Sequence, residues 1–338
     1  MKVLVTGATG FVGRETVRQL HECGQDIRIL VRSRTSPRVQ EALSRYGAKA
    51  IPGDVLDAAS LGGALSGMDA VIHLVGIISE VGESTFENIH TRGTENMVAA
   101  ARQAGVRRFV HMSALGTRPN AASRYHQTKW AAEELVRHSG LDFTIFRPSL
   151  IYGPQDHFIN LFARMIRLSP VVPLMGSPRA RFQPVPIEAV AASFLRSLGE
   201  PKSLGQTYDL CGPEALTLSE IVDRIMDVMQ RRRLKLQVPL GIAHCQAVLL
   251  EFLFRRLLRK ASPLNRDQLI MLQEDNVGNP QPANELFGLK PMALREGIAR
   301  YLMRDPCNKA VTPSLFPHHA SSVTHHSLSL GSGAPARC

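Results

Sequence analysis

A tyrosine and a lysine stand four residues apart in "SRYHQTKWAAEE", at Tyr125 and Lys129, within a stretch of helical composition. On a helix, positions i and i+4 share a face, so the phenol and the ammonium can reach one cavity. A phenol titrates near pH 10, too high to act as a base at neutral pH unaided. A neighbouring ammonium favours the phenolate, so the expectation is a lowered phenol that exchanges a proton with a bound oxygen. Ser113, just past the strand-like "RRFVHM", is placed to hydrogen-bond that oxygen. Alone, such a pair arises by chance. Its weight depends on what precedes it.

What precedes it is "VLVTGATGFVGRETV" at the start of the chain. Gly7, Gly10 and Gly13 follow an apolar β-branched run and open a helical pattern that includes Thr9, Phe11 and Val12. Gly7 permits a tight turn, Gly10 lets the backbone approach a pyrophosphate, and Gly13 lets the helix pack closely on the strand. Unpaired N–H groups at the helix mouth then face the phosphates. A glycine triplet is weak evidence alone and strong evidence between a strand and a helix. Selectivity for NAD usually places an acid at the end of the second strand to bind the ribose 2′-hydroxyl. Here "ILVRSRTS" supplies Arg32 and Arg34 instead. Guanidinium groups suit a 2′-phosphate, so NADP(H) is the expected cofactor and NAD(H) the alternative.

These groups need a scaffold. "KVLVTG", "DIRILVR", "AKAIPGD", "AVIHLVG", "RRFVHMSA" and "DFTIFRP" read as strands, separated by helical stretches such as "GRETVRQLHEC" and "GTENMVAAARQAG". That alternation predicts an α/β fold, a Rossmann-like doubly wound parallel sheet with helices on both faces. Residues 1–150 form the expected nucleotide-binding domain, with later segments returning to it. Residues 151–305 form a smaller, partly interleaved substrate or partner domain. Its helix "LTLSEIVDRIMDVMQRR" is opened by Thr217 or Ser219. The Ser-, His- and Pro-rich residues 306–338 are expected to be disordered.

The net charge is +11, and eight Lys or Arg against one acid, Glu251, fall between Arg231 and Lys260. Within that segment, residues 240–260 show a wide apolar face (Ile242, Leu249, Leu250, Leu253, Phe254, Leu257, Leu258). His244, Glu251, Arg255 and Arg259 gather opposite, with Val248 and Phe252 intruding. Such a helix suits an anionic membrane surface or a membrane complex, or else the core of the second domain. No nucleic-acid module accompanies the charge, so nucleic acid is not an expected partner. The five cysteines (Cys23, Cys211, Cys245, Cys307, Cys338) lack disulfide or zinc spacing, and no metal is expected. The chain opens directly on a strand and has no long apolar run. A cytoplasmic protein, peripheral at the inner membrane face, is expected.

Taken in order, "TGATGFVG", "GDVLD", "HLVG", "HMSALG", "YHQTK" and "RPSLIYGP" resemble the short-chain dehydrogenase/reductase superfamily, in its extended or atypical branch, over residues 1 to 303. The resemblance implies a Ser–Tyr–Lys constellation at Ser113, Tyr125 and Lys129, with Lys129 also holding the nicotinamide ribose. It implies adenine contacts at Asp54 and Val55, a cofactor wall at Val75 and Gly76, and a nicotinamide-proximal turn at Pro148 and Ser149. Asn88, in "FENIHTRGTEN", falls where the family often has an asparagine supporting a proton relay. "SALGTRPNAASRYHQTKWAAEELVR", "ARFQPVPIEAVA" and "PLNRDQLIMLQEDNV" are similar to a narrower group, the nucleotide-binding accessory subunits of respiratory complex I and their bacterial relatives. That group implies two functions: an NADP(H)-dependent oxidoreductase or epimerase acting on a quinone-like molecule, or a scaffold stabilised by its cofactor and docked on a membrane complex.

Overall fold

The computed structural model describes residues 1–254, 262 and 264–303. The tail from Pro306, and Arg255, Arg256 and Arg259 of the basic stretch, lie outside those residues. Among the described residues, β1 (Lys2–Thr6), β2 (Asp26–Val31) and β3 (Lys49–Pro52) run to one side of a sheet. β4 (Ala70–His73), β5 (Arg108–Met112) and β6 (Asp142–Pro148) run to the other. Short strands follow: β7 (Ile151–Tyr152), β8 (Val171–Leu174), β9 (Arg181–Phe182) and β10 (Val185–Pro186). The chain then returns as β11 (Gln206–Leu210) beside β6, giving the all-parallel order β11-β6-β5-β4-β1-β2-β3. β12 (Leu216–Thr217) pairs with β9 and β13 (Leu234–Gln237) with β8. The strand order reverses between β1 and β4, and ligands of such sheets bind at that switch, beyond the carboxyl ends of the strands.

Helices α1 (Phe11–Glu22), α2 (Pro37–Tyr46), α3 (Gly62–Leu65), α4 (Gly93–Gln103) and α5 (Arg124–Arg137) connect the first six strands. α6 (Phe158–Leu168), α7 (Ile187–Ser197), α8 (Leu218–Val228), α9 (Leu240–Leu253), α10 (Arg266–Met271), α11 (Gln281–Leu286) and α12 (Leu294–Leu302) follow. Side chains alternate across β1, as a pleat requires. Val3 and Val5 join the layer containing α1, α2, α7 and α11, whereas Leu4 joins that of α3, α4 and α5. A third apolar cluster unites α6, α8 and α12 with β8. α8 is started by a full capping box: Thr217 accepts from the Glu220 N–H and Glu220 accepts from the Thr217 N–H. Buried Arg108 ties the β5–β6 edge to α7 through Asp142 O and Ser197 O, both at 2.7 Å. Its guanidinium also donates to Thr144 Oγ1 at 2.7 Å and Ser203 Oγ at 3.0 Å.

Candidate active site

The loop after β1 is shaped by its glycines. Gly7 adopts φ 71°, and a Cβ there would lie 2.9 Å from the Leu74 carbonyl carbon. A Cβ on Gly13 would lie 2.2 Å from Gly7 O, so α1 rests on the loop at a distance only glycine allows. Gly10 N–H donates to Gly7 O at 2.9 Å, and α1 begins at Phe11 with no side-chain cap and no acid in its first turn. The leading N–H groups and the positive end of the helix dipole are therefore available to an anion. The cradle fits the diphosphate of a dinucleotide.

Beyond β2, Arg32 and Arg34 are exposed. Arg34 commits one donor to Ala50 O at 2.8 Å. Two further arginines, which sequence reasoning missed, border the same loop. Arg38 Nη1 lies 3.5 Å from Thr9 O, and Arg14 donates to Gln155. Burial and the nearby Arg38 cation lower the Arg14 guanidinium below its usual range. Both lie within seven residues of predicted positions, but only the fold brings them together. At the positions expected to contact adenine, Asp54 Oδ1 accepts from Leu56 N at 3.0 Å, and buried Val55 packs against Gly93.

The reactive end gathers where β4 and β5 finish. Lys129 is buried, and its Nζ donates to Met112 O at 3.0 Å, beside buried Ser113. A Cβ on Gly76 would lie 3.1 Å from Nζ, so the glycine next to Val75 leaves the ammonium its space. Burial pushes Lys129 down to about 8, against the opposing pull of Glu133. Ser113 Oγ lies 3.4 Å from Thr117 Oγ1, and Ser113 N donates to Phe146 O at 2.8 Å. Pro148 O accepts from Leu115 N, and Ser149 Oγ bonds Asn276 Oδ1 at 2.6 Å. Asn276, another residue missed from sequence, thus fixes the turn by also donating to Leu115 O at 3.0 Å.

Two expectations are corrected by this geometry. The Tyr125 phenol is not lowered in the chain alone: burial raises it to about 12. Its ring is enclosed by Phe86, His90 and His126, at centroid distances of 5.8, 5.2 and 5.3 Å. Asn88 does not turn toward the pair either, because its amide donates outward to Glu83 O at 2.8 Å. The inward residue is His90, two positions later. Its Nδ1 is 2.9 Å from Thr128 Oγ1 and its Nε2 accepts from Ile77 N at 3.1 Å. The Thr128 hydroxyl donates to Arg124 O at 3.0 Å, and His90 Nε2 lies 3.1 Å from Ile77 O as well as from Ile77 N. The segment Glu87–Arg92 is π-helical, a local irregularity common at functional sites.

More buried imidazoles lie beneath. His73 bonds Thr6 Oγ1 at 2.7 Å and stacks on His111 at 5.5 Å. Neither ring nitrogen of His111 has a hydrogen-bond partner. A cavity of about 390 Å³ opens in front of Phe86, walled by Arg124, His244, Glu251 and Arg266. A second, of about 530 Å³, lies around Tyr152, Arg167 and Arg300, and neither cavity is lined by Ser113, Tyr125 or Lys129.

Comparison with known proteins agrees with this geometry. The model of an NAD(P)H-binding family matches residues 7–158. The chain is 30% identical over 281 residues to subunit 9 of the NADH dehydrogenase [ubiquinone] 1 alpha subcomplex of Arabidopsis thaliana, an alignment covering 81% of this chain and 70% of that protein. It is 29% identical over 329 residues to sterol demethylase protein B of Methylococcus capsulatus, covering 88% and 96%. In fold it is similar to a UDP-glucose 4-epimerase of Thermotoga maritima, with TM-score 0.69 and 19% identity, covering 90% of this chain and 99% of that one.

Proposed function

This chain belongs to the NAD(P)H-binding short-chain dehydrogenase/reductase superfamily, in the branch that includes subunit 9 of the complex I alpha subcomplex, and from that premise we propose that it is an NADP(H)-dependent reductase of a carbonyl on an apolar, membrane-dissolved substrate. The observation that carries the proposal is the placement of Tyr125 and buried Lys129 one turn apart on α5, with the Lys129 ammonium on Met112 O beside buried Ser113. With the phenol held at about 12 and the lysine at about 8, Tyr125 keeps its proton at neutral pH and is set to give it away. Reduction needs such a donor beside the oxygen that gains charge. The bound nicotinamide supplies the hydride. Tyr125 delivers its proton to the same substrate oxygen to which Ser113 Oγ donates a hydrogen bond. Lys129 then reprotonates the phenolate.

NADP(H) is preferred to NAD(H) because β2 ends without an acid, and Arg32, Arg34, Arg38 and Arg14 supply cations near the loop. Support for an apolar substrate comes from the bacterial relative, which is named for sterol demethylation. An isoprenoid quinone precursor belongs to the same chemical class. The plant relative's name favours a second function, an NADP(H)-stabilised subunit on a respiratory membrane complex without turnover.

The test adds NADPH-loaded protein to sterol ketones, quinones and membrane lipid extracts and follows absorbance of the reduced nicotinamide. Tyr125→Phe should cut turnover more than about 100-fold while NADPH affinity stays within about threefold. If no extract oxidises the cofactor, the reductase proposal fails and the subunit role stands.

A further inference from the structure

α9 is packed the wrong way round for a helix of a water-soluble core. Its buried stripe consists of Ala243 and Ala247, each 0% exposed, resting on Leu269. Its larger side chains point outward: Leu240, Ile242, Val248, Leu249 and Phe252 are between 42% and 62% exposed. Folding normally buries the larger apolar groups first, because stabilisation scales with the area removed from water. Of the apolar face expected from the sequence, Ile242 and Leu249 are exposed, Leu250, Leu253 and Phe254 are half-buried, and Leu257 and Leu258 lie outside the described residues. Val248 and Phe252 do not intrude on a polar face; they form the middle of an outward apolar arc. The polar His244 and Glu251 face the cavity before Phe86, and Glu251 is paired with Arg266 at 3.0 Å.

The four side chains of the arc, Val248, Phe252, Leu249 and Ile242, expose on the order of 400 Å², within the range for the largest apolar patch on a monomer. A protein partner over such an area would call for several hydrogen bonds, about one per 100–200 Å². The arc from Val248 through Phe252 and Leu249 to Ile242 contains no charged or amide side chain. Cations are close to it in sequence on both sides. Arg231 and Arg232 are exposed ahead of β13, whose Leu234 and Leu236 are also exposed, and the sequence after Phe254 continues Arg255, Arg256, Arg259, Lys260. A 14-residue helix spans about 21 Å, too short for a bilayer core of about 30 Å. Among the described residues, no helix is long and apolar enough to cross a membrane. An apolar arc without charged or amide side chains, on a helix whose sequence neighbours on both sides are rich in Arg and Lys, matches the interfacial layer of an anionic bilayer.

We propose that the outward face of α9 lies in the surface of an anionic membrane and holds the cavity before Phe86, and hence Tyr125, against the lipid from which the substrate is drawn. The membrane-dissolved substrate of the proposed reductase is assumed here, but the docking surface can be tested without it. Full-length protein is sedimented with phosphatidylcholine vesicles, with and without about one third phosphatidylglycerol, at low and high salt. Binding is expected to the anionic vesicles and to weaken with salt. Leu249→Gln/Phe252→Gln, on the exposed face and so without loss of fold, should reduce binding at least tenfold. Arg231→Glu/Arg232→Glu should reduce it on anionic vesicles only. NADPH binding, read by its fluorescence in the same tubes, should be unchanged in every variant. Protein that stays in the supernatant with both vesicles, or an apolar-face variant that binds like the parent, overturns the proposal. So does a dimer that the same variant dissolves. Loss of NADPH binding in the parent would instead sink the reductase proposal and leave the docking result standing.

Discussion

Four neutral imidazoles locked inside the fold should make it unusually sensitive to mild acid. Burial lowers His73 to about 3 and His126 to about 4, and it drives His90 and His111 well below their ordinary value. Each folded-state value is depressed. The stability these rings contribute is therefore present above the unfolded value near 6.5 and is lost as pH falls from there toward the folded values. A histidine that stays neutral in the fold costs about 2 kcal/mol at pH 5 relative to pH 7.5, and four cost about 8, against a typical total of 5–15 kcal/mol. Burial raises the Asp156 and Asp209 carboxyls, so their contribution runs opposite to that of the histidines. Urea unfolding between pH 7.5 and 5.0 at constant m-value should show the midpoint falling steeply below pH 6.5. His111→Leu isolates one ring. It removes two unpaired buried nitrogens, so it should raise stability by about 1–2 kcal/mol at pH 7.5 and by about 2 more at pH 5. A midpoint flat from pH 7 to 5, or a His111→Leu curve parallel to that of the parent, would refute the reasoning.

Gly13→Ala pushes a Cβ to 2.2 Å from Gly7 O, so it should abolish NADPH binding by titration and destabilise the fold by about 3 kcal/mol or more. Arg108→Leu removes the guanidinium donors to Asp142 O, Ser197 O and Thr144 Oγ1, of which Thr144 Oγ1 still bonds Ser203 O and Ser197 O still accepts from Glu200 N, and chemical unfolding should show a loss of about 2 kcal/mol. Arg32→Asp with Arg38→Ala should weaken NADP(H) at least about tenfold in direct binding while NAD(H) changes little, in keeping with the loss of charge-assisted phosphate bonds.

Much of the scaffold was legible because burial on both sides leaves little choice of residue. β1 to β6 read as nearly continuous apolar runs, and Gly7 and Gly13 carry steric demands no other residue meets. β11 escaped notice: "QTYDL" is a short edge strand of mixed polarity, recognisable only once β6 lies beside it. The orientation of α9 was left open between a membrane and the core for a physical reason. Large apolar groups are the usual guide to the inward face, and here alanines form the inward stripe.

The exchange of Asn88 for His90 has a different origin and leads to a separable prediction. Faces extrapolated at 3.6 residues per turn slip out of phase within the π-helical Glu87–Arg92, so no periodicity in "FENIHTRGTEN" could have turned His90 inward. Once inward, His90 spans two elements: Nδ1 meets Thr128 on α5, and Nε2 meets both Ile77 N and Ile77 O in the loop that carries Val75 and Gly76 past Lys129. His90→Phe keeps the stack on Phe86, 5.5 Å away at 19°, and the edge contact to Tyr125, but leaves the Ile77 N–H unpaired. An unpaired buried donor costs about 1–3 kcal/mol. If that cost loosens the loop at the nicotinamide end, NADPH affinity should fall roughly tenfold. The affinity of 2′,5′-ADP, which needs only the glycine cradle and the arginines, should stay the same. Equal losses for both ligands would mean that His90 supports the fold as a whole, and no loss for either would mean that the Ile77 bond positions nothing.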